Sequence, residues 1–196
     1  MKNWIINTVC CLLTISCLSA QERLHIDPER TLTVYLSRTQ NTKVIAEIIQ
    51  EEVGGKLVAI ELENPYPEDY QKTVNQVAEE NRSGYLPPLK TKIENIRDYD
   101  VVFVGFPTWG MELPPPIKSF FTHHNLSNLT IIPFNTHAGY GFGNSFETLK
   151  KLCPQSKVLK GFSTQGGKEK DGILNEMNGN IMVKKAVIDW LNNLKY

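Results

Sequence analysis

The feature that most constrains this chain is a repeated order: a short apolar run, a polar loop, then a stretch with one apolar face. Residues 32–36 form the first run, and Val44, Ile45, Ile48 and Ile49 follow at the spacing of a helix with one buried stripe. Residues 56–62 alternate as a second strand should, and Tyr70, Val74 and Val77 predict a helix over 69–80. Residues 101–106 are almost wholly apolar and rich in β-branched side chains, the pattern of a strand covered on both faces of a parallel sheet. Residues 129–134 and 158–162 supply two more strands, separated by a helix at 145–152 that the Cys153-Pro154 step ends. Val183, Ala186, Val187, Trp190, Leu191 and Leu194 mark the last helix. Five strands alternating with helices predict an α/β, doubly wound five-stranded parallel sheet with right-handed crossovers. Ligands of such sheets bind beyond the carboxyl ends of the strands, where the strand order reverses.

Residues 1–20 do not fit this order. One charge, Lys2, precedes an apolar run through Ile5, Ile6, Val9, Leu12, Leu13 and Ile15 that ends in small residues at 16–20. This predicts a secretory signal peptide, an exported periplasmic or secreted protein, and a single domain over 21–196 with no transmembrane span. A lipid-anchored form through Cys17 is the second expectation, although Thr14 stands where a lipobox normally has leucine. Cys10, Cys11 and Cys17 all fall in the leader, so the processed chain keeps Cys153 alone and has no intramolecular disulfide. Lys+Arg and Asp+Glu are balanced at 21 each, which argues against nucleic acid as a partner and favours small molecules.

Three loops stand at carboxyl ends of predicted strands. The first is Ser37, Arg38, Thr39, Gln40, Asn41 and Thr42, whose hydroxyls and amide can donate hydrogen bonds beside the positive end of a helix. No lysine precedes the hydroxyls and no glycine fingerprint is present, so a monophosphate held by neutral donors fits better than a nucleoside triphosphate or a dinucleotide. A simple helix cap by Asn41 or Thr42 is the plain alternative. The second loop, Pro107, Thr108, Trp109 and Gly110, follows the central strand, and its indole is expected over a pocket rather than in the core. The third runs from Thr136 through His137 to Ser145, with Gly139, Gly141 and Gly143 at every second position, where backbone can approach a ligand closely. Together the loops point to a flat, phosphate-bearing ligand.

In these loops, and across the whole chain beyond the leader, the sequence resembles the flavodoxin family, in particular its short, single-domain bacterial members. The resemblance implies strand order 2-1-3-4-5 and FMN as a noncovalent cofactor. By that likeness Ser37, Arg38, Thr39, Gln40, Asn41 and Thr42 would wrap the phosphate, and Pro107, Thr108, Trp109 and Gly110 would line the ring with the indole stacked on it. Thr136, Gly139, Gly141, Phe142 and Gly143 would close over the other side. An electron-rich indole and excluded water disfavour a negatively charged ring, which would lower its potential. Three departures stand out. Gln40 occupies a place where the family usually has glycine, Gly110 one where close relatives carry a second Trp, and the near-neutral charge lacks the acidity of many flavodoxins.

The resemblance implies an electron-transfer carrier that serves redox protein partners or a small-molecule donor or acceptor. The alternatives are an FMN-dependent NAD(P)H:quinone or small-molecule oxidoreductase and a cofactor-free binding module on the same fold. His123 and His124 are adjacent and lack metal-ligand spacing, so no metal is expected there. The charged run at 168–171 reads as a solvated turn.

Overall fold

A computed structural model describes residues 24–166 and 177–195. The expected leader with Cys17 and the charged turn at 168–171 lie outside the described residues. The elements run β1 Thr31–Tyr35, α1 Asn41–Val53, β2 Lys56–Ala59, α2 Tyr70–Ser83, β3 Val101–Pro107, α3 Pro115–His123, β4 Thr130–His137, α4 Ser145–Leu152, β5 Lys157–Val158, β6 Phe162–Gln165 and α5 Met177–Asn192. All strand pairs are parallel, in the order β2-β1-β3-β4-β5, with β6 also on β4. The doubly wound sheet of the sequence reading is therefore present, and its order reverses between β1 and β3.

Alternation along the strands divides the core in two. Leu32, Val34, Val102, Val104, Phe106 and Ile131 face one layer with α3 and α4 residues such as Ile117, Phe120 and Leu149. Tyr35, Val101, Phe103, Ile132 and Phe134 face the other, with Ile45, Ile49, Val183 and Val187 of α1 and α5. Gly105 in β3 is required by this packing: a Cβ there would stand 2.1 Å from Cζ of Phe134.

The fifth strand position is occupied in two pieces rather than by one run over 158–162. Leu159 N–H donates to the Ile131 carbonyl at 2.9 Å. The next rung on that side would need an N–H from residue 133, which is proline, so the ladder breaks there and resumes at Phe162 opposite Phe134. The second strand is also shorter than its alternation. Ile60 N–H reaches the Tyr35 carbonyl at 2.7 Å, where β1 ends, and Leu62 then bridges antiparallel to Leu89 outside the sheet. Asp69 caps α2 by accepting from the Lys72 N–H at 2.8 Å, and Gly84, with φ 70°, closes the helix three residues later than its apolar spacing predicts.

Candidate functional site

The loop before α1 turns into the helix through Gln40, whose φ of 67° lies in the left-handed region. Gln40 at the N-cap makes no side-chain bond to α1, and Thr42 directs its hydroxyl to Thr136 rather than to a cap, so the helix N-terminus can still favour an anion. Ser37 Oγ accepts from the Lys43 N–H at 3.3 Å and Thr39 Oγ1 accepts from Asn41 Nδ2 at 3.1 Å. Each hydroxyl thereby keeps its own proton to donate. Arg38 lies across the Tyr70 ring and donates to the Glu68 carbonyl, closing one side of the loop.

Hydrogen bonds tie the three loops into one unit. Thr42 and Thr136 hydroxyls lie 2.8 Å apart and join the first loop to the third. The fully buried Asn135 donates through Nδ2 to the Phe106 carbonyl and to Thr108 Oγ1, both at 3.0 Å, and Thr108 Oγ1 lies 3.0 Å from the Gly141 carbonyl. Asn144 N–H donates to the Met111 carbonyl at 3.0 Å, and Gly143 lets that approach occur, since a Cβ there would sit 2.0 Å from the same oxygen. Just past β6, the Gly166 N–H donates to the His137 carbonyl at 3.0 Å, and Gly166 backs Asn41.

Between these loops lies a cavity of about 740 Å³. Of the residues expected at the site, Arg38, Thr39, Asn41, Thr42, Pro107, Thr108, Trp109, Gly110, Thr136 and Gly141 line it. Ser37, Gln40, Gly139, Phe142 and Gly143 do not. Ser37, Gln40 and Gly143 shape the surrounding backbone, Gly139 N–H donates to His137 Nδ1 at 3.1 Å, and Phe142 stacks on Phe146 at 4.5 Å instead of on the cavity. Trp109 is half-buried, as its place at the cavity requires, and packs one flank on the first core layer. It meets Tyr66 edge-on, with centroids 5.4 Å apart. Reciprocal backbone bonds between Trp109 and Glu112 close a tight turn in which Gly110 and Met111 both have positive φ, 60° and 62°.

One wall of the cavity lies outside the three loops. Helix α2 turns Tyr70, Thr73, Val74, Val77, Ala78 and Asn81 toward the cavity, one stripe at helical spacing. Tyr140 stands at the mouth with 82% of its surface exposed, and Met111 and Val74 are exposed beside it. Burial pushes the His137 pKa below its ordinary value, and because Nδ1 accepts from Gly139 the neutral ring carries its proton on Nε2. Cys153 is buried away from this site, donates to the Leu149 carbonyl, and has its thiol pushed up to about 11 by burial. The His123 and His124 rings bond the Ser119 and Phe120 carbonyls one turn back on α3. No helix among the described residues is long and apolar enough to cross a membrane.

Two solved structures show how far this architecture is shared. A proposed flavoprotein of Bacteroides eggerthii is 32% identical, covering 83% of this chain and 95% of its own, with a TM-score of 0.67. A Lactobacillus acidophilus flavoprotein in complex with FMN is 21% identical over 70% of this chain and 93% of its own, with a TM-score of 0.62. No curated protein matches the sequence. The flavodoxin family model matches residues 30–194, from the start of the sheet to the last buried leucine, and the chain belongs to the flavodoxin family.

Proposed function

We propose that this chain is an exported, FMN-binding electron-transfer flavoprotein. The observation that carries the reading is the join of the α1 N-terminus, whose N-cap residue Gln40 makes no side-chain bond to it, and neutral hydroxyl donors to a cavity bounded by Trp109 and the exposed Tyr140. Such a cavity fits a ligand with an anionic end and a flat apolar end. Arg38, Thr39, Asn41 and Thr42 would hold the phosphate, and Pro107, Thr108, Trp109, Gly110, Thr136 and Gly141 would hold the ring. Ser37 and Gln40 would serve by shaping the first loop, and Gly139, Phe142 and Gly143 by shaping the third. FMN supplies reversible electron uptake when bound; the protein orients the ring, withholds water from its indole side and grips the tail. A complex with FMN in the Lactobacillus acidophilus protein supports the choice of nucleotide. The apolar run before residue 20 supports export.

The apolar α2 wall favours a second reading, an FMN-dependent oxidoreductase of small planar molecules such as quinones, because Val74, Val77 and Ala78 extend the cavity beyond the three loops. One experiment tests both. The protein is titrated with FMN, followed by its visible spectrum and by tryptophan fluorescence, and then reduced stepwise. A shifted flavin spectrum with quenching that Trp109→Ala abolishes is expected. A protein that stays colourless would leave the cofactor-free module standing. Steady NADH or NADPH oxidation with a quinone would move the assignment from carrier to enzyme.

A further inference from the structure

Glu80, on the inner face of α2, is the one charged side chain buried among the described residues, with 6% of its surface exposed. Its two oxygens accept from Tyr66 Oη and, at 2.8 Å, from Gln76 Nε2. It makes no ion pair among the described residues; the neighbouring Arg82 is held by Glu79, and Lys118 by Asn81 and Glu112. A carboxylate taken from water without a counter-charge is costly, and a glutamine in its place would keep one of the two acceptor oxygens without the charge. The Tyr66 ring that Glu80 holds is the ring set edge-on against Trp109.

We propose that Glu80 is a positioning residue for the flavin site, acting through Tyr66 to fix the Trp109 indole and placing a fixed negative charge behind it. The proposal rests on the FMN reading above. Its first part is steric: the Tyr66 hydroxyl, anchored on α2, keeps its ring perpendicular to the indole, so the indole presents one face to the cavity. Its second part is electrostatic. Reduction builds negative charge on the ring, and a buried carboxylate on the far side of the Tyr66 ring, little screened by water, opposes that charge and lowers the potential. Burial and the bond to Glu80 push the Tyr66 phenol pKa upward, so Tyr66 remains the donor of the pair.

The two parts separate experimentally. The full chain and its Glu80→Gln, Glu80→Asp and Tyr66→Phe variants are compared in two measurements: the near-ultraviolet dichroism of the indole without FMN, assigned by difference from Trp109→Phe, and the midpoint potential with FMN bound. Glu80→Gln keeps an acceptor for Tyr66 and loses the charge, so the potential is expected to rise with the indole signal unchanged. Glu80→Asp keeps the charge and withdraws it from the hydroxyl, so the indole signal is expected to weaken while the potential stays near the parent's. Tyr66→Phe, which removes the hydroxyl that Glu80 holds, is expected to weaken the indole signal and FMN binding together. Variants that melt earlier yet keep the parent's potential and indole signal would make Glu80 a loop staple and overturn the proposal. If Glu80→Gln does not fold, the Asp and Phe variants still decide the steric part. If the parent binds no FMN, the flavin reading falls, while the indole measurement in the FMN-free protein still decides the contact.

Discussion

Replacing Gln40 by glycine isolates one backbone conformation. Gln40 has φ 67°, its exposed side chain makes no cap bond to α1 and no hydrogen bond among the described residues, and its carbonyl accepts from the Val44 N–H whatever the side chain is. The substitution therefore removes no contact, only the clash of a Cβ with its own backbone. That clash costs roughly 1–2 kcal/mol for an L-residue in the left-handed region. Glycine returns about 0.4–1 kcal/mol of this through the greater freedom of the unfolded chain. The net expectation is a stabilisation of roughly 0.5–1 kcal/mol, or about 1–4 °C in melting temperature for a domain of this size. Urea unfolding of the FMN-free protein is the assay, with midpoint and slope fitted separately. Gln40→Gly should raise the midpoint at constant slope, Gln40→Ala should not, and Gln40→Asn should fall between, because asparagine tolerates this region. Glycine and alanine variants of equal stability would refute the strain argument.

Other outcomes follow from the packing and the titratable groups. Gly105→Ala should destabilise by about 3 kcal/mol or more, since the added Cβ meets the fully buried Phe134 ring at 2.1 Å. Adding Phe134→Leu should restore part of that loss in a double-mutant cycle. For His137 the folded pKa lies below 6.5, so the unfolded chain takes up the proton first. Its contribution is complete above pH 6.5 and is lost as pH falls through the lowered folded value; His137→Gln should flatten the stability profile there, by a small amount because the group is partly exposed. Cys153 should resist iodoacetamide in the folded protein and react once urea unfolds it, as peptide mass mapping would show.

The parts of the site fixed by topology were legible in the sequence. Alternating runs imply a parallel sheet, and a parallel sheet forces the three loops after β1, β3 and β4 to one end, so weak signals at 37–42, 107–110 and 136–143 gained weight together. The place of glycine in related loops marked Gln40 as unusual, and its positive φ gives the reason. The α2 wall was not legible, because Val74 and Val77 produce the same helical period whether a stripe faces a core or a cavity. Nor was Glu80, whose meaning depends on Tyr66 and Trp109 meeting across a long separation in the chain. The break between β5 and β6 lies opposite Pro133 of the adjacent strand, and within residues 158–162 its trace is Gly161, where a Cβ would stand 2.7 Å from the Pro133 carbonyl oxygen.

That break bears on how copies of the protein meet. An outer strand with continuous free N–H and C=O groups is a template for another molecule's strand. Here one border of the sheet is two residues, an interruption and four more, and the opposite border is the four-residue β2. Neither offers a long flat ribbon, so concentrated solutions should stay free of strand-to-strand aggregation, and a Pro133→Val substitution, by mending the ladder, should raise light scattering on storage.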